Sequence, residues 1–366
     1  MPTVKPAPLL CKPDFPEAAA RWEAYLAGDL IDRPVVCVTA PRPGAGVPAP
    51  WQHYGYRERV FDDIDGLLDR VLAHAEATFY GGEAIPAFLP SIAADEIAVF
   101  TGAELRWSPD SPDTNWAVPY VEDWEAALPL RLHEDGPMWQ RMLALVRRAA
   151  ERLAGRMLIQ PLDWHTNMDL LSAIRGPQRL CLDLLERPEL IDRAMTSARS
   201  LFPILWDAIR TAGRMDEWGY TQGLYSPTGT SNLACDFAAL IGPRMFRRWV
   251  LPALEEEAAL VGHAYFHWDG PDALKHMPDL LASPYFHTIG YVPGKIAVDG
   301  SGDRHPRYIA LYQAIQAAGK SVHVWGTPDE LMYMHRHLRP EKTLYTTTVT
   351  TQAEAEALLD WFTRHT

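Results

Sequence analysis

Short β-prone runs alternate with long helical segments eight times along the 366 residues of the chain. That alternation predicts an α/β fold, because strand–helix–strand units set parallel strands side by side under a layer of helices. The runs fall at 34–39 (PVVCVT), 83–89 (EAIPAFL), 156–162 (RMLIQPL) and 218–225 (WGYTQGLY), then at 262–267 (GHAYFH), 286–292 (FHTIGYV), 320–325 (KSVHVW) and 342–348 (KTLYTTT). Eight such units predict a (β/α)₈ TIM barrel whose active site lies at the C-terminal ends of the strands.

The segments between the runs have helical periodicity. In 61–79, Ile64, Leu67, Leu68, Val71 and Leu72 recur at helical spacing behind acidic residues. Segments 138–154 and 243–261 follow the same pattern, and Thr351 with Glu354 has the spacing of a capping box before the last helix. Two stretches interrupt the alternation. Residues 90–135, rich in Trp and Pro, are expected to form an excursion between strands two and three, and the Gly-rich 293–306 a loop over the strand ends. Residues 1–30 are expected to pack on the barrel as an N-terminal extension, and 1–366 to form a single domain.

Composition narrows the function. The net charge of -13 argues against nucleic acid as a partner. No apolar run is long enough to span a membrane, and the Pro-rich N-terminus lacks the apolar core of a secretion signal, so a cytoplasmic location is expected. Cys11, Cys37, Cys181 and Cys235 are too widely spaced for a CxxC motif and are read as free thiols. The sequence has no GxGxxG, P-loop, GxSxG or HExxH motif. A homodimer is left open.

Strand ends supply the candidate chemistry. His267 and Asp269 alternate on one strand face, so both reach one proton or one metal ion. His165 and Asp163 repeat that spacing in PLDWHTNMD, with Asn167 beside them, and either pair could instead cap local backbone. Arg42, held between two prolines, is a cation for an anionic substrate or one half of a surface ion pair. We take His267, Asp269, His165 and Arg42 as catalytic candidates, and Asp163, Asn167, Gln222, Tyr225, Trp268, Tyr291, His323 and Trp325 as substrate-binding candidates.

Three stretches resemble a known family: DLLSAIRGPQRLCLDLLERPELI at 169–191, CDFAALIGPRMFRRWVLPAL at 235–254 and HAYFHWDGPDALKHMPDLL at 263–281. Their order is similar to that in the uroporphyrinogen decarboxylase superfamily, which includes porphyrinogen decarboxylases and methyltransferases that move methyl groups between corrinoid proteins and thiols. Where the decarboxylases carry several arginines on the first strand, this chain reads VCVTAPRPG with Arg42 alone. Where the zinc methyltransferases carry His-x-Cys, it reads His267-Trp268-Asp269. The resemblance therefore implies a divergent member performing methyl transfer or demethylation on a small polar substrate. It leaves open a corrinoid protein partner and a divalent metal on the harder ligands His267 and Asp269. The alternatives are a cofactor-free decarboxylase or lyase, with Arg42 gripping a carboxylate and His267 supplying a proton, and a non-catalytic ligand-binding barrel.

Overall fold

The computed structural model describes residues 6–45, 55–108, 111–293 and 306–366. Thirteen strands are present in them: β1 Val35–Pro41, β2 Thr78–Gly82, β3 Ala87–Phe88, β4 Glu104–Ser108, β5 Ser111–Val118, β6 Leu158–Ile159, β7 Tyr220–Gln222, β8 Leu224–Ser226, β9 Thr230–Ala234, β10 His263–Asp269, β11 Phe286–Val292, β12 Ser321–Trp325 and β13 Thr343–Thr348. The central sheet has seven strands in the order β2-β1-β13-β12-β11-β10-β9. All neighbours in it are parallel except β1 and β2. β3 and β6 form a separate parallel pair, and a parallel bridge between Trp164 and Leu233 ties the chain beyond β6 to β9. The fold is mixed α/β with a mostly parallel central sheet.

Several expected elements are in place. The helix Ile64–Ala77 buries Leu67, Leu68, Val71 and Leu72 and is capped by Asp63, whose side chain accepts the Gly66 amide. Helices Pro137–Arg152 and Gln352–His365 also form where periodicity places them, and Thr351 accepts the Glu354 amide at 3.1 Å. The capping box is not reciprocal, since the Glu354 carboxylate turns to the Thr350 amide and hydroxyl.

Several expectations need correction, among them the strand at 156–162, of which only Leu158–Ile159 pairs. The aromatic run at 218–225 folds as the antiparallel hairpin β7–β8, turned at Gly223 with φ +74°. The parallel neighbour of β10 is instead β9, whose TSNLA has little β propensity of its own and is held by pairing with β10. The segment 83–89 contributes only Ala87–Phe88 to pairing, because the Glu83 carboxylate takes the Val36 amide and the Arg33 guanidinium at 2.9 Å each. Residues 78–79, expected to end the helix at 61–79, instead begin β2, which runs antiparallel to β1. A Cβ on Gly82 would lie 2.2 Å from the Val36 carbonyl oxygen, so only glycine allows this approach.

The N-terminal helix Phe15–Leu26 closes the ends at which the parallel strands begin. Its buried face, Phe15, Ala19, Trp22 and Tyr25, shares one apolar cluster with Val35, Leu158, Leu344 and Tyr265. Phe15 packs edge-on to Tyr225 at 5.1 Å, and Trp22 donates its indole N–H to the Glu83 carbonyl at 3.0 Å. The opposite ends of β9 and β10 therefore face away from this plug. No helix among the described residues is long and apolar enough to cross a membrane.

Candidate functional site

Acids and histidines gather where β9, β10 and the chain beyond β6 end. On β10 the side chains of Tyr265, His267 and Asp269 share one face, because successive residues alternate across a sheet. β9 sets Ala234 beside His267, and the chain continues through Cys235 into the short 3₁₀ helix Asp236–Leu240. Asp236 senses the charges of Asp169, His165, His267 and Asp269. Burial is the largest influence on its carboxyl and raises its pKa; the neighbouring Asp169 adds to the rise, and the two histidines oppose it.

His165 is strongly perturbed. Its Nδ1 lies 3.4 Å from the Asp169 carboxylate and its Nε2 3.8 Å from Asp163. Burial disfavours the charged ring, yet Asp169, Asp163 and Asp236 together lift its pKa to about 10. The imidazolium is therefore the prevailing form at neutral pH. The same Asp169 carboxylate accepts the amides of Asp236 and Phe237 on its two oxygens, at 2.9 and 2.8 Å. This one side chain thus joins the helix Asn167–Arg175 to the 3₁₀ helix and also fixes the His165 ring.

A cleft of about 600 Å³ opens onto this cluster. His165, Asp169, Asp236 and Asp95 supply its titratable lining, with Ser172 beside them, and Trp116, Pro119, Pro177, Phe237 and Leu240 stand among its apolar walls. Asp95 and Trp116 come from the excursion, which folds as the helix Glu96–Phe100 and the antiparallel ribbon β4–β5. The Asp95 carboxylate accepts the Ala117 amide at 3.4 Å, and burial raises its pKa. Sequence reasoning misses Asp95, Trp116 and Asp236. Asp236 is visible in the CDFAAL stretch, but only placing β9 at 230–234 shows that it follows a strand end.

Other expected site residues lie elsewhere. Trp268 and Tyr291 point to the opposite sheet face, packing edge-on at 5.6 Å with Tyr308 beyond them, because register pairs them one residue out of phase with His267. Gln222 is spent internally: its amide donates to the Leu162 carbonyl at 2.9 Å, and its oxygen accepts from Ser231 and the Asn232 amide. Tyr225 belongs to the cluster under the N-terminal helix. Asn167 is fully buried at φ 47°, with its side-chain oxygen accepting the Met168 amide at 2.6 Å. Arg42 donates to the carbonyls of Thr78 and Cys11, at 3.2 and 3.4 Å, and is not among the residues lining the cleft.

His323 is buried, and burial lowers its pKa to about 3, so the ring is neutral. It shares hydrogen bonds with the Tyr265 hydroxyl at 3.1 Å and the Thr346 hydroxyl at 2.7 Å, and the Trp325 ring lies over it at 3.7 Å. The Cys235 thiol, 3.6 Å from Asp169, has its pKa raised by burial and is not a ready nucleophile. Among the described residues no three His, Cys, Asp or Glu side chains meet closely enough to hold a metal ion. His267 and Asp269 are thus a pair without a third ligand in this arrangement. The expected loop at 293–306 lies almost wholly outside the described residues.

No family model matches the chain, and no curated protein matches it. Among solved structures, a methyltransferase from Methanosarcina mazei is similar, with a TM-score of 0.59 over 94% of this chain and 97% of that chain. Sequence identity is 15%, so the likeness shows the fold and leaves the chemistry to the site.

Proposed function

We propose that the protein is a methyltransferase or demethylase acting on a small polar substrate, with His165 as the general acid for the leaving heteroatom. Three features support this reading: the likeness in fold to a methyltransferase, the cluster at the strand ends, and above all the imidazolium of His165 held against Asp169. We read β3 and β6 as completing a (β/α)₈ ring with the parallel strands of the central sheet, which makes the cleft the mouth of a barrel.

In this mechanism the substrate lies in the cleft with its methyl-bearing oxygen, nitrogen or sulfur toward His165 Nε2. The acceptor's electron pair forms the new bond to the methyl carbon as the bond to the heteroatom breaks. The departing pair takes the proton from Nε2, leaving a neutral imidazole that Asp169 keeps in register. His267 and Asp269 on β10 lie outside the cleft lining and bear on the substrate through the charge of Asp236. A corrinoid carried by a partner protein, or a thiol, would serve as methyl acceptor. No step is routed through a metal ion.

One observation separates this from the lyase alternative. Gripping a carboxylate requires a cation, but among the described residues no lysine or arginine lines the cleft, and Arg42 is bonded to backbone carbonyls. An acidic lining favours substrates that are neutral or cationic. The test is a panel of O-, N- and S-methyl compounds offered with a reduced corrinoid or a thiol acceptor. Methyl transfer that falls about 10²-fold or more in His165→Ala, with the fold intact, is expected. Undiminished transfer in that variant sinks the proposal.

A further inference from the structure

We infer that Glu257, a carboxyl buried behind the cleft, is the positioning residue that holds His165 against Asp169; this builds on the reading of His165 above. Glu257 lies on the helix Leu251–Val261, which follows β9, and is 3% exposed. The groups that meet it come from the loop beyond β6. The Thr166 hydroxyl donates to Oε1 at 2.6 Å, and the Asn167 amide approaches the two oxygens at 3.4 and 3.5 Å.

Both contacts divert a residue from its usual role. Thr166 is the N-cap of the helix Asn167–Arg175, where a threonine hydroxyl ordinarily accepts an amide of the first turn. Here it makes no such bond and points outward to Glu257. Asn167 adopts a left-handed φ of 47°, which asparagine tolerates better than other residues with a Cβ; its side-chain oxygen takes the Met168 amide at 2.6 Å, which leaves its amide to turn to Glu257. These two residues are the link between His165 and Trp164 on one side and Asp169 on the other. Trp164 is fixed by its bridge to Leu233 and its indole bond to Ser231 at 2.9 Å, while Asp169 is fixed by the Asp236 and Phe237 amides. Glu257 supplies the third fixed point, from behind. Burial raises its pKa to about 8, with Asp169 and Glu256 adding to the effect, so the neutral carboxylic acid prevails at pH 7.

The amide isostere should therefore replace Glu257, and an aliphatic residue should not. The readout is the proton affinity of His165, followed by NMR titration of histidine-labelled protein and assigned with His165→Gln. The charged groups facing His165 are Asp163, Asp169, Asp236 and Asp95, and all remain in every variant. Glu257→Gln is expected to titrate like the wild type. Glu257→Leu and Thr166→Val are expected to lose at least tenfold in His165 proton affinity. If Glu257→Leu lowers Tm but leaves the titration unchanged, Glu257 is structural and the inference is overturned. Should Glu257→Leu fail to fold, Thr166→Val decides by the same criterion. No substrate enters this titration, so it stands or falls independently of methyl transfer.

Discussion

A histidine lifted to about 10 by its carboxylate neighbours makes two kinds of measurement sensitive to pH. Its raised pKa means that the folded state binds the proton more tightly than the unfolded chain, whose histidine titrates at about 6.5. The resulting stabilisation is complete below about pH 6.5 and is lost as pH rises through about 10. Denaturant midpoints at pH 6, 8 and 10 should fall across that window in the wild type and fall less in His165→Gln. Transfer activity should likewise decline on the alkaline side near the same value, and an alkaline limb unmoved by His165→Gln would assign that limb to another group. Much of this site is legible as residue types: His165, Asp163, His267 and Asp269 stand out by their i, i+2 spacing. The phase of the strands is legible only in part. Residue type alone suggests the site for Trp268 and Tyr291, although alternation puts them opposite His267, and nothing in the local sequence shows that Gln222 is consumed by Leu162, Ser231 and Asn232.

Elements are readable where periodicity is strong and ambiguous where tertiary pairing decides. The helices Ile64–Ala77 and Pro137–Arg152 declare themselves by their apolar stripes, whereas β9 is a strand only because β10 pairs with it. The hairpin β7–β8 misleads because its aromatic residues favour a strand, yet the positive φ at Gly223 folds them back on themselves. The N-terminal helix carries a prediction of its own. Trp22→Ala removes a buried indole and its bond to the Glu83 carbonyl, and should cost roughly 3–5 kcal/mol in chemical denaturation. Because this helix covers the starting ends of the strands, the His165 titration should be unchanged in the folded Trp22→Ala protein. Gly82→Ala should also destabilise, since its Cβ would meet the Val36 carbonyl oxygen.

For the whole molecule, the separation of a packed end from a charged end organises both stability and chemistry. Metal analysis of untagged protein, purified without added metals, tests the molecule as a unit. With no three-ligand cluster among the described residues, sub-stoichiometric metal is expected, and His267→Ala should not change it. Stoichiometric metal lost in that variant would restore His267 and Asp269 as ligands. Between the two ends lies Tyr265, whose phenol occupies the space Gly290 leaves vacant: a Cβ on Gly290 would lie 1.6 Å from the Tyr265 oxygen, and one on Gly223 3.1 Å from its ring. Gly290→Ala should therefore expel the ring and break its bond to His323, visible as a lowered Tm. The same arrangement makes the interior between the two ends adjustable at one position. One removable phenol is wedged between two glycines two residues before His267, and Tyr265→Ala would open a hollow there while leaving every acid and histidine that lines the cleft in place. The packing of the interior and the charge of the cleft are thereby set by separate residues, so the space around Tyr265 could be reshaped while His165 keeps its carboxylate partners.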